Sequence, residues 1–290
     1  EKANLTEILS LGEKMKANRN SFQDILDNKS FILLFDKPST RTRISFELAI
    51  SELGGSCIFL DMGTSQLGRG ESIKDTAKVL SRYVDGLIIR NANHQELIEF
   101  SEHSSISIIN ALTNESHPCQ IMADLMTLKE CFGSIDDLNI AWIGDGNNNM
   151  SNSLIEAAGK FNFKLKIGCP KKYSPSKSIL KLAKKEGAKL TITSKPLEAV
   201  TGADCVMTDK WISMNDKVNK VSKKKILKPY QVNNKLMSKA NSDSIFMHCL
   251  PVGRGEEVTD DVIDGNQSVV WRQALNRVHT QKSIIKWCLD

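Results

Sequence analysis

The sequence predicts an α/β protein of two doubly wound parallel-sheet domains joined by helices, with an active site in the cleft between them. Three observations carry this expectation. Short apolar runs alternate with amphipathic helical patterns along the chain, as parallel strands and crossover helices require. The alternation restarts after Gly133, near the middle of 290 residues, a length suited to about two domains. Polar, cationic or glycine-containing turns follow the apolar runs, and ligands of open parallel sheets bind beyond the carboxyl ends of the strands.

Taken in order, Leu5, Ile8, Leu9, Leu11 and Met15 recur at helical spacing and predict a helix over Asn4 to Lys16. The run Phe31 to Phe35 reads as a buried strand, followed by a polar turn and a helix over Ile44 to Leu53. Gly54-Gly55 then breaks the chain before a strand at Ser56 to Leu60. Gly63 to Ser72 is a glycine-rich loop. Helix Ile73 to Tyr83, strand Gly86 to Arg90, helix Gln95 to Glu102 and strand Ile106 to Ala111 complete the first series. Pro118 opens the helical pattern of Ile121 to Phe132, at a position where its missing N–H costs nothing.

The second series predicts strands at Leu138 to Ile143, Leu165 to Cys169, Ala188 to Thr193, Asp204 to Thr208 and Ser244 to His248, and near Val269 to Val270. Its helices are expected at Met150 to Phe161, Ser176 to Glu186, Leu197 to Val200, Pro229 to Lys239 and Ala274 to Leu289. The expected domains are 1–132 and 133–273, with helix 274–289 packing back on the first.

Composition narrows the function classes. With 40% hydrophobic and 25% charged residues, the chain reads as an ordinary globular protein. No apolar run approaches the ~20 residues of a membrane span. A charge of +5, with three Tyr and four Trp, lacks the basic stripe and interleaved aromatics of a nucleic-acid binder, and favours small anionic substrates. The cysteines at 57, 119, 131, 169, 205, 249 and 288 form no C-x-x-C pair, so neither a zinc cluster nor a disulfide framework is indicated. Reduced thiols in a cytoplasmic protein are the simplest account. The first residue is Glu1 rather than Met, which leaves a preceding segment open.

The chemistry gathers at the strand ends. Ser39-Thr40-Arg41-Thr42-Arg43 lies between a strand and a helix, where free N–H groups and the positive helix end favour an anion. Two hydroxyls and two guanidiniums, at Ser39, Thr40, Arg41 and Arg43, make a phosphate site the better reading than a Ser N-cap with solvated arginines. Gln66, Arg69, Arg90, His117 and Gln120 follow in the same half. His117 could donate to a carbonyl oxygen, or simply cap its helix. The second half offers Asp145 to Asn149, Asp209 to Met214, His248-Cys249-Leu250-Pro251, Arg272 and Arg277, a set rich in amides and carboxylates that suits an amino acid or amine. One half for each substrate is the geometry of a group transfer.

Other readings stay open. Gly144-Asp145-Gly146 after a strand invites a dinucleotide site, with Lys171 and Lys172 for a 2′-phosphate. The third glycine position is Asn149, however, and no ribose-binding acid follows the next strand. His248 and Cys249 are adjacent in a strand and point to opposite faces, so they do not act as a nucleophile–base pair. Lys217 to Lys228 is either a solvated loop or a mobile lid. A non-catalytic anion-binding protein is a further alternative.

Ser39-Thr40-Arg41-Thr42-Arg43, His117-Pro118-Cys119-Gln120, Asp209-Lys210-Trp211-Ile212-Ser213-Met214 and His248-Cys249-Leu250-Pro251 resemble, in order and spacing, the signature segments of ornithine carbamoyltransferases. The first and second resemble elements shared by all carbamoyltransferases and imply carbamoyl phosphate. The third and fourth imply ornithine, and Ser213 and Met214 distinguish it from putrescine. The resemblance implies that Ser39, Thr40, Arg41 and Thr42 hold the phosphate, with Arg90, His117 and Gln120 on the carbamoyl side and Arg277 closing on carbamoyl phosphate. Cys249 and Leu250 would lie near the reacting amine, and Asn149, Asp209, Ser213 and Met214 would bind ornithine. Arg41, His117 and Cys249 would carry the catalysis. Gln66 would reach a neighbouring subunit's site, because family members are trimers with shared sites. Citrulline formation for arginine biosynthesis, without metal or redox cofactor, is the implied activity. Lys210, Asn215, Gly253 and Leu275 depart from the family's usual residues, and Asn215 in place of Gly narrows the backbone angles of its loop.

Overall fold

The computed structural model describes residues 1–212 and 219–290. The chain folds into two compact units. One comprises Ala3–Met126 with Leu275–Asp290, the other Glu1–Lys2 with Thr127–Ala274.

The first unit is built on a four-stranded sheet. Helix α1 (Lys2–Ala17) precedes β1 (Ser30–Phe35), in which every residue after Ser30 is buried. Then come α2 (Thr40–Glu52), β2 (Ser56–Asp61), α3 (Ile73–Leu80), β3 (Gly86–Arg90), α4 (His94–His103), β4 (Ser107–Leu112) and α5 (Pro118–Phe132), inside which the division between the units falls. The strands run parallel in the order β2-β1-β3-β4. A strand buried on both faces must be apolar throughout, which is why SFILLF shows no alternation. Ile32, Leu34, Leu87 and Ile89 pack against Ala77, Leu80 and Phe100, each large side chain contributing about 1.5–3 kcal/mol.

The second unit carries β5 (Asn139–Ile143), α6 (Asn149–Lys160), β6 (Lys164–Gly168), α7 (Lys177–Lys185), β7 (Lys189–Thr193), α8 (Pro196–Val200) and β8 (Cys205–Thr208). After these come α9 (Lys220–Leu227), α10 (Asn234–Met237), β9 (Ile245–His248) and α11 (Asp260–Ile263). The sheet order is β7-β6-β5-β8-β9, again all parallel. Side-chain caps start many of these helices; Asn148 and Ser151 form a reciprocal capping box at α6. The long helix α12 (Val270–Leu289) ends the chain.

Three expectations about elements are corrected. The α2 helix begins at Thr40 rather than Ile44, so Thr40 to Arg43 form its first turn. No strand forms at 269–270: Phe246 and Ser268 make a single bridge, and Val270 already opens α12. The expected helix over 229–239 is a 3-10 turn at Lys228–Tyr230 followed by short α10, because Gln231 and Asn233 are extended and Val232 N donates to Glu257 O at 2.8 Å, bridging to Val258. Conversely, Lys220–Leu227, expected as part of a loop, is helical, with Asn219 capping it through Ser222 N.

Candidate active site

The order β2-β1-β3-β4 reverses direction between β1 and β3, and β7-β6-β5-β8-β9 reverses between β5 and β8. Crevices at such switch points are where open sheets bind ligands. Among the described residues, the turn after β1 and Arg90 at the end of β3 lie at the first switch point, and the turn after β5 and Asp209 after β8 lie at the second.

In the first unit, Asp36 ties the ends of β1 and β3 together. Its N–H donates to Arg90 O at 3.0 Å, and its carboxylate accepts from Ala92 N at 2.8 Å. Ser39 is the N-cap residue of α2 with extended backbone, but its hydroxyl makes no capping hydrogen bond, contrary to the plain capping reading. Thr42 is buried, and its hydroxyl accepts from Arg277 Nη2 at 2.9 Å and Arg90 Nη1 at 3.2 Å. Two cations thus converge on the first turn of a helix whose dipole also attracts anions. Arg41 is half-buried in that turn. Arg43 is not part of the seat: its guanidinium lies 3.9 Å from the centre of the Phe59 ring, and its Nε donates to Glu47 at 2.8 Å.

His117 and Gln120, one helical turn apart at the start of α5, are both buried. Burial holds the His117 pKa well below 6.5, and the Arg277 and Arg90 charges push it the same way, so the imidazole is neutral at pH 7. A neutral imidazole beside two guanidiniums can still donate a hydrogen bond. Gln120 Nε2 donates to Asp124 Oδ1 at 2.8 Å. Gln66 is exposed in the glycine-rich loop, and its side chain joins none of these hydrogen bonds.

In the second unit, Thr208 pairs with His248 across β8 and β9, which brings the residues after both strands together. Cys249 Sγ donates to Asp209 Oδ1 at 3.2 Å. Burial raises the Asp209 pKa above 3.8, offset in part by His248, Lys210 N–H and the Cys249 thiol. Leu250, at φ +59°, turns the chain sharply after Cys249. His248 has its Nε2 3.2 Å from Glu257 Oε1 and its Nδ1 accepting from Leu250 N at 2.8 Å. The opposite orientations expected for His248 and Cys249 are not realised, because β9 ends at His248 and the chain turns at Cys249–Leu250, yet the two side chains have separate hydrogen-bond partners. Asp209, His248 and Cys249 bring ligand-type atoms within 4.8 Å of one another, but both His248 nitrogens are already engaged, so the ring has no free lone pair for a metal. Asn149 opens α6 beside its cap Asn148. Ser213 and Met214, like Asn215, lie outside the described residues.

The glycine turn after β5 is closely packed. A Cβ on Gly146 would lie 3.0 Å from Cys169 Sγ and Tyr173 O and 3.1 Å from Pro175 Cδ. Gly146 is therefore explained by the close approach of the chain's own 169–175 segment. Gly253, a departure from the family pattern, has a packing reason: a Cβ there would stand 2.6 Å from Glu257 Oε2, and that carboxylate also holds Gly253 N and His248.

Sequence reasoning missed Lys223. Counted among solvated lysines, it is buried, and its Nζ lies 2.7 Å from buried Asp145 and 5.3 Å from the centre of the Tyr173 ring. Its one signal was the i, i+4 spacing to Leu227, the other buried residue of α9.

Two family models match the chain. Residues 1–130 match the carbamoyl-P binding domain of aspartate/ornithine carbamoyltransferases, and residues 136–288 match their Asp/Orn binding domain. An ornithine carbamoyltransferase of Rhodopseudomonas palustris is 52% identical over 98% of this chain and 92% of its own length. One from Bradyrhizobium diazoefficiens is 49% identical over 99% and 93%. Among solved structures, anabolic ornithine carbamoyltransferase from Campylobacter jejuni superposes with TM-score 0.94 at 36% identity, over 99% of this chain and 95% of that one. The Pyrococcus furiosus ornithine carbamoyltransferase superposes with TM-score 0.93 at 40% identity, over 98% and 93%. With both domain models matched over almost its whole length, the chain belongs to the aspartate/ornithine carbamoyltransferase family.

Proposed function

We propose that the protein transfers the carbamoyl group of carbamoyl phosphate to the δ-amine of L-ornithine, giving L-citrulline and phosphate for arginine biosynthesis. The observation that carries this reading is the convergence of Arg90 and Arg277 on Thr42 in the first turn of α2, a seat for a phosphorylated substrate. The choice of ornithine rests on its relatives at about half identity and on the Asp209–Cys249 pair.

Residues 1–132, with helix 274–289, bind carbamoyl phosphate, and residues 133–273 bind ornithine. Ser39, Thr40, Arg41 and Thr42 hold the phosphate, and Arg90, His117, Gln120 and Arg277 surround the carbamoyl group. Asn149, Asp209, Ser213 and Met214 bind ornithine, with Cys249 and Leu250 beside the amine. The neutral δ-amine attacks the carbonyl carbon, charge builds on the carbonyl oxygen, and the C–O bond to phosphate then breaks as the amine loses a proton. Arg41 and His117 donate to that oxygen; one such donor contributes roughly 2.7 to 4 kcal/mol to the barrier reduction. The amine must lose a proton before it attacks, and Asp209, whose pKa is raised by burial and which accepts from the Cys249 thiol, is the proposed acceptor of that proton.

The active form is a cytoplasmic homotrimer with Gln66 reaching a neighbour's site. Supporting self-association, Ile44 and Leu48 stand one turn apart on α2, 48% and 42% exposed, and Ile58 on edge strand β2 is 60% exposed. All seven cysteines are free thiols, which fits a reducing compartment.

The test is citrulline formation from carbamoyl phosphate with ornithine, compared with turnover of putrescine, aspartate and N-acetylornithine. Ornithine is expected to be the substrate by a wide margin. Turnover of aspartate without turnover of ornithine would overturn the reading.

A further inference from the structure

The Gln120 amide is held in one of its two orientations. Gln120 and Asp124 are i and i+4 on α5, both about 1% exposed, and Gln120 Nε2 donates to Asp124 Oδ1 at 2.8 Å. In this hydrogen bond the amide nitrogen donates and the carboxyl oxygen accepts, so the nitrogen faces Asp124 and the carbonyl oxygen is turned away from it. That oxygen is buried and accepts no hydrogen bond among the described residues. Buried acceptors without a donor are rare, and each calls for an explanation. Here the explanation is chemical: one helical turn back stands His117, also buried, and a carbamoyl group brings an NH2 with hydrogens to donate.

We infer that Asp124 is a specificity-determining positioning residue, which by fixing the Gln120 amide makes this site an acceptor for the carbamoyl NH2 and so selects carbamoyl over acyl phosphates. With the amide reversed, Gln120 would turn its own NH2 toward the substrate NH2, and the recognition would be lost. Acetyl phosphate, with a methyl group in that place, gains nothing from either orientation. The inference rests on the carbamoyl phosphate reading and extends it to a residue that does not itself touch substrate.

The experiment measures dissociation constants of carbamoyl phosphate and acetyl phosphate for the wild-type protein, Asp124→Leu and Asp124→Asn, with far-UV circular dichroism as the folding control. Asp124→Leu is expected to weaken carbamoyl phosphate binding about tenfold or more while acetyl phosphate changes by less than about threefold, the loss of one well-placed hydrogen bond. Asp124→Asn, which keeps one acceptor oxygen, should restore most of the preference. An unchanged preference in folded Asp124→Leu would overturn the inference. Equal losses in the two variants would assign the effect to charge rather than to orientation, and would overturn it too. Should Asp124→Leu not fold, neutron diffraction of wild-type crystals decides: deuterium is expected on the Gln120 atom facing Asp124, and deuterium on the opposite atom refutes the assignment. A wild-type protein that binds neither phosphate would sink the carbamoyl phosphate reading instead, so the two failures are distinguishable.

Discussion

Thr42 shows how much a single hydroxyl can organise. It is the common acceptor for Arg90 and Arg277, whose positions in the chain are 48 and 235 residues away. Thr42→Val is expected to lower kcat/KM for carbamoyl phosphate at least tenfold, ~1.4 kcal/mol or more, while the protein stays folded. Steady-state kinetics with a thermal-melt control checks this. His279 makes a different kind of prediction. Burial first, then Lys282, Lys16 and Arg19, depress its pKa to about 4 from 6.5. Below pH 6.5 the unfolded chain therefore binds more protons than the folded one, and stability falls as the pH drops toward 4. His117 acts with the same sign; Asp209, whose pKa is raised, acts with the opposite sign. Urea unfolding of His279→Gln should lose less stability between pH 6.5 and 4.5 than the wild type does.

Among the elements, α9 was the least legible. A run of lysines reads as solvated surface, yet Lys223 is buried against Asp145, at the end of β5, with both side chains about 5–6% exposed. Breaking a buried ion pair by removing one partner leaves a desolvated charge, at a cost of roughly 3–5 kcal/mol. Lys223→Met should therefore lower the unfolding free energy by about that amount, and Lys223→Met combined with Asp145→Leu should recover part of it. Guanidinium unfolding of the three proteins tests the coupling. The Asn219 cap sets where α9 starts, and the Lys223–Leu227 face holds the helix down.

At the scale of the whole molecule, the proposed trimer predicts complementation. Gln66 stands exposed, as a residue serving another subunit's site would. Arg41→Ala and Gln66→Ala are each expected to reduce turnover strongly. If sites are shared, dissociating and reassembling a mixture of the two should return a measurable fraction of wild-type citrulline formation, because some mixed trimers contain an intact site. Absence of any recovery, with mixed trimers confirmed by native mass spectrometry, would show that Gln66 and Arg41 do not combine across subunits.

The sequence by itself determined the two parallel sheets, the approximate place of most strands and helices, and the positions of the signature residues. These are properties of local pattern: a short apolar run such as Phe31–Phe35, followed by a polar turn, is the signature of a strand buried on both faces. It also pointed to the turn Ser39–Arg43 as the proposed phosphate seat, from which the structure removes Arg43. Only the tertiary structure decided that Arg43 turns onto Phe59, that Arg277 and Arg90 meet on Thr42, and that Asp124 orients Gln120. It likewise decided that 169–175 packs against Gly146 and that Lys223 is buried. Side-chain direction and pairing depend on residues brought together from distant parts of the chain, and no local pattern encodes which of several cations will reach a given hydroxyl.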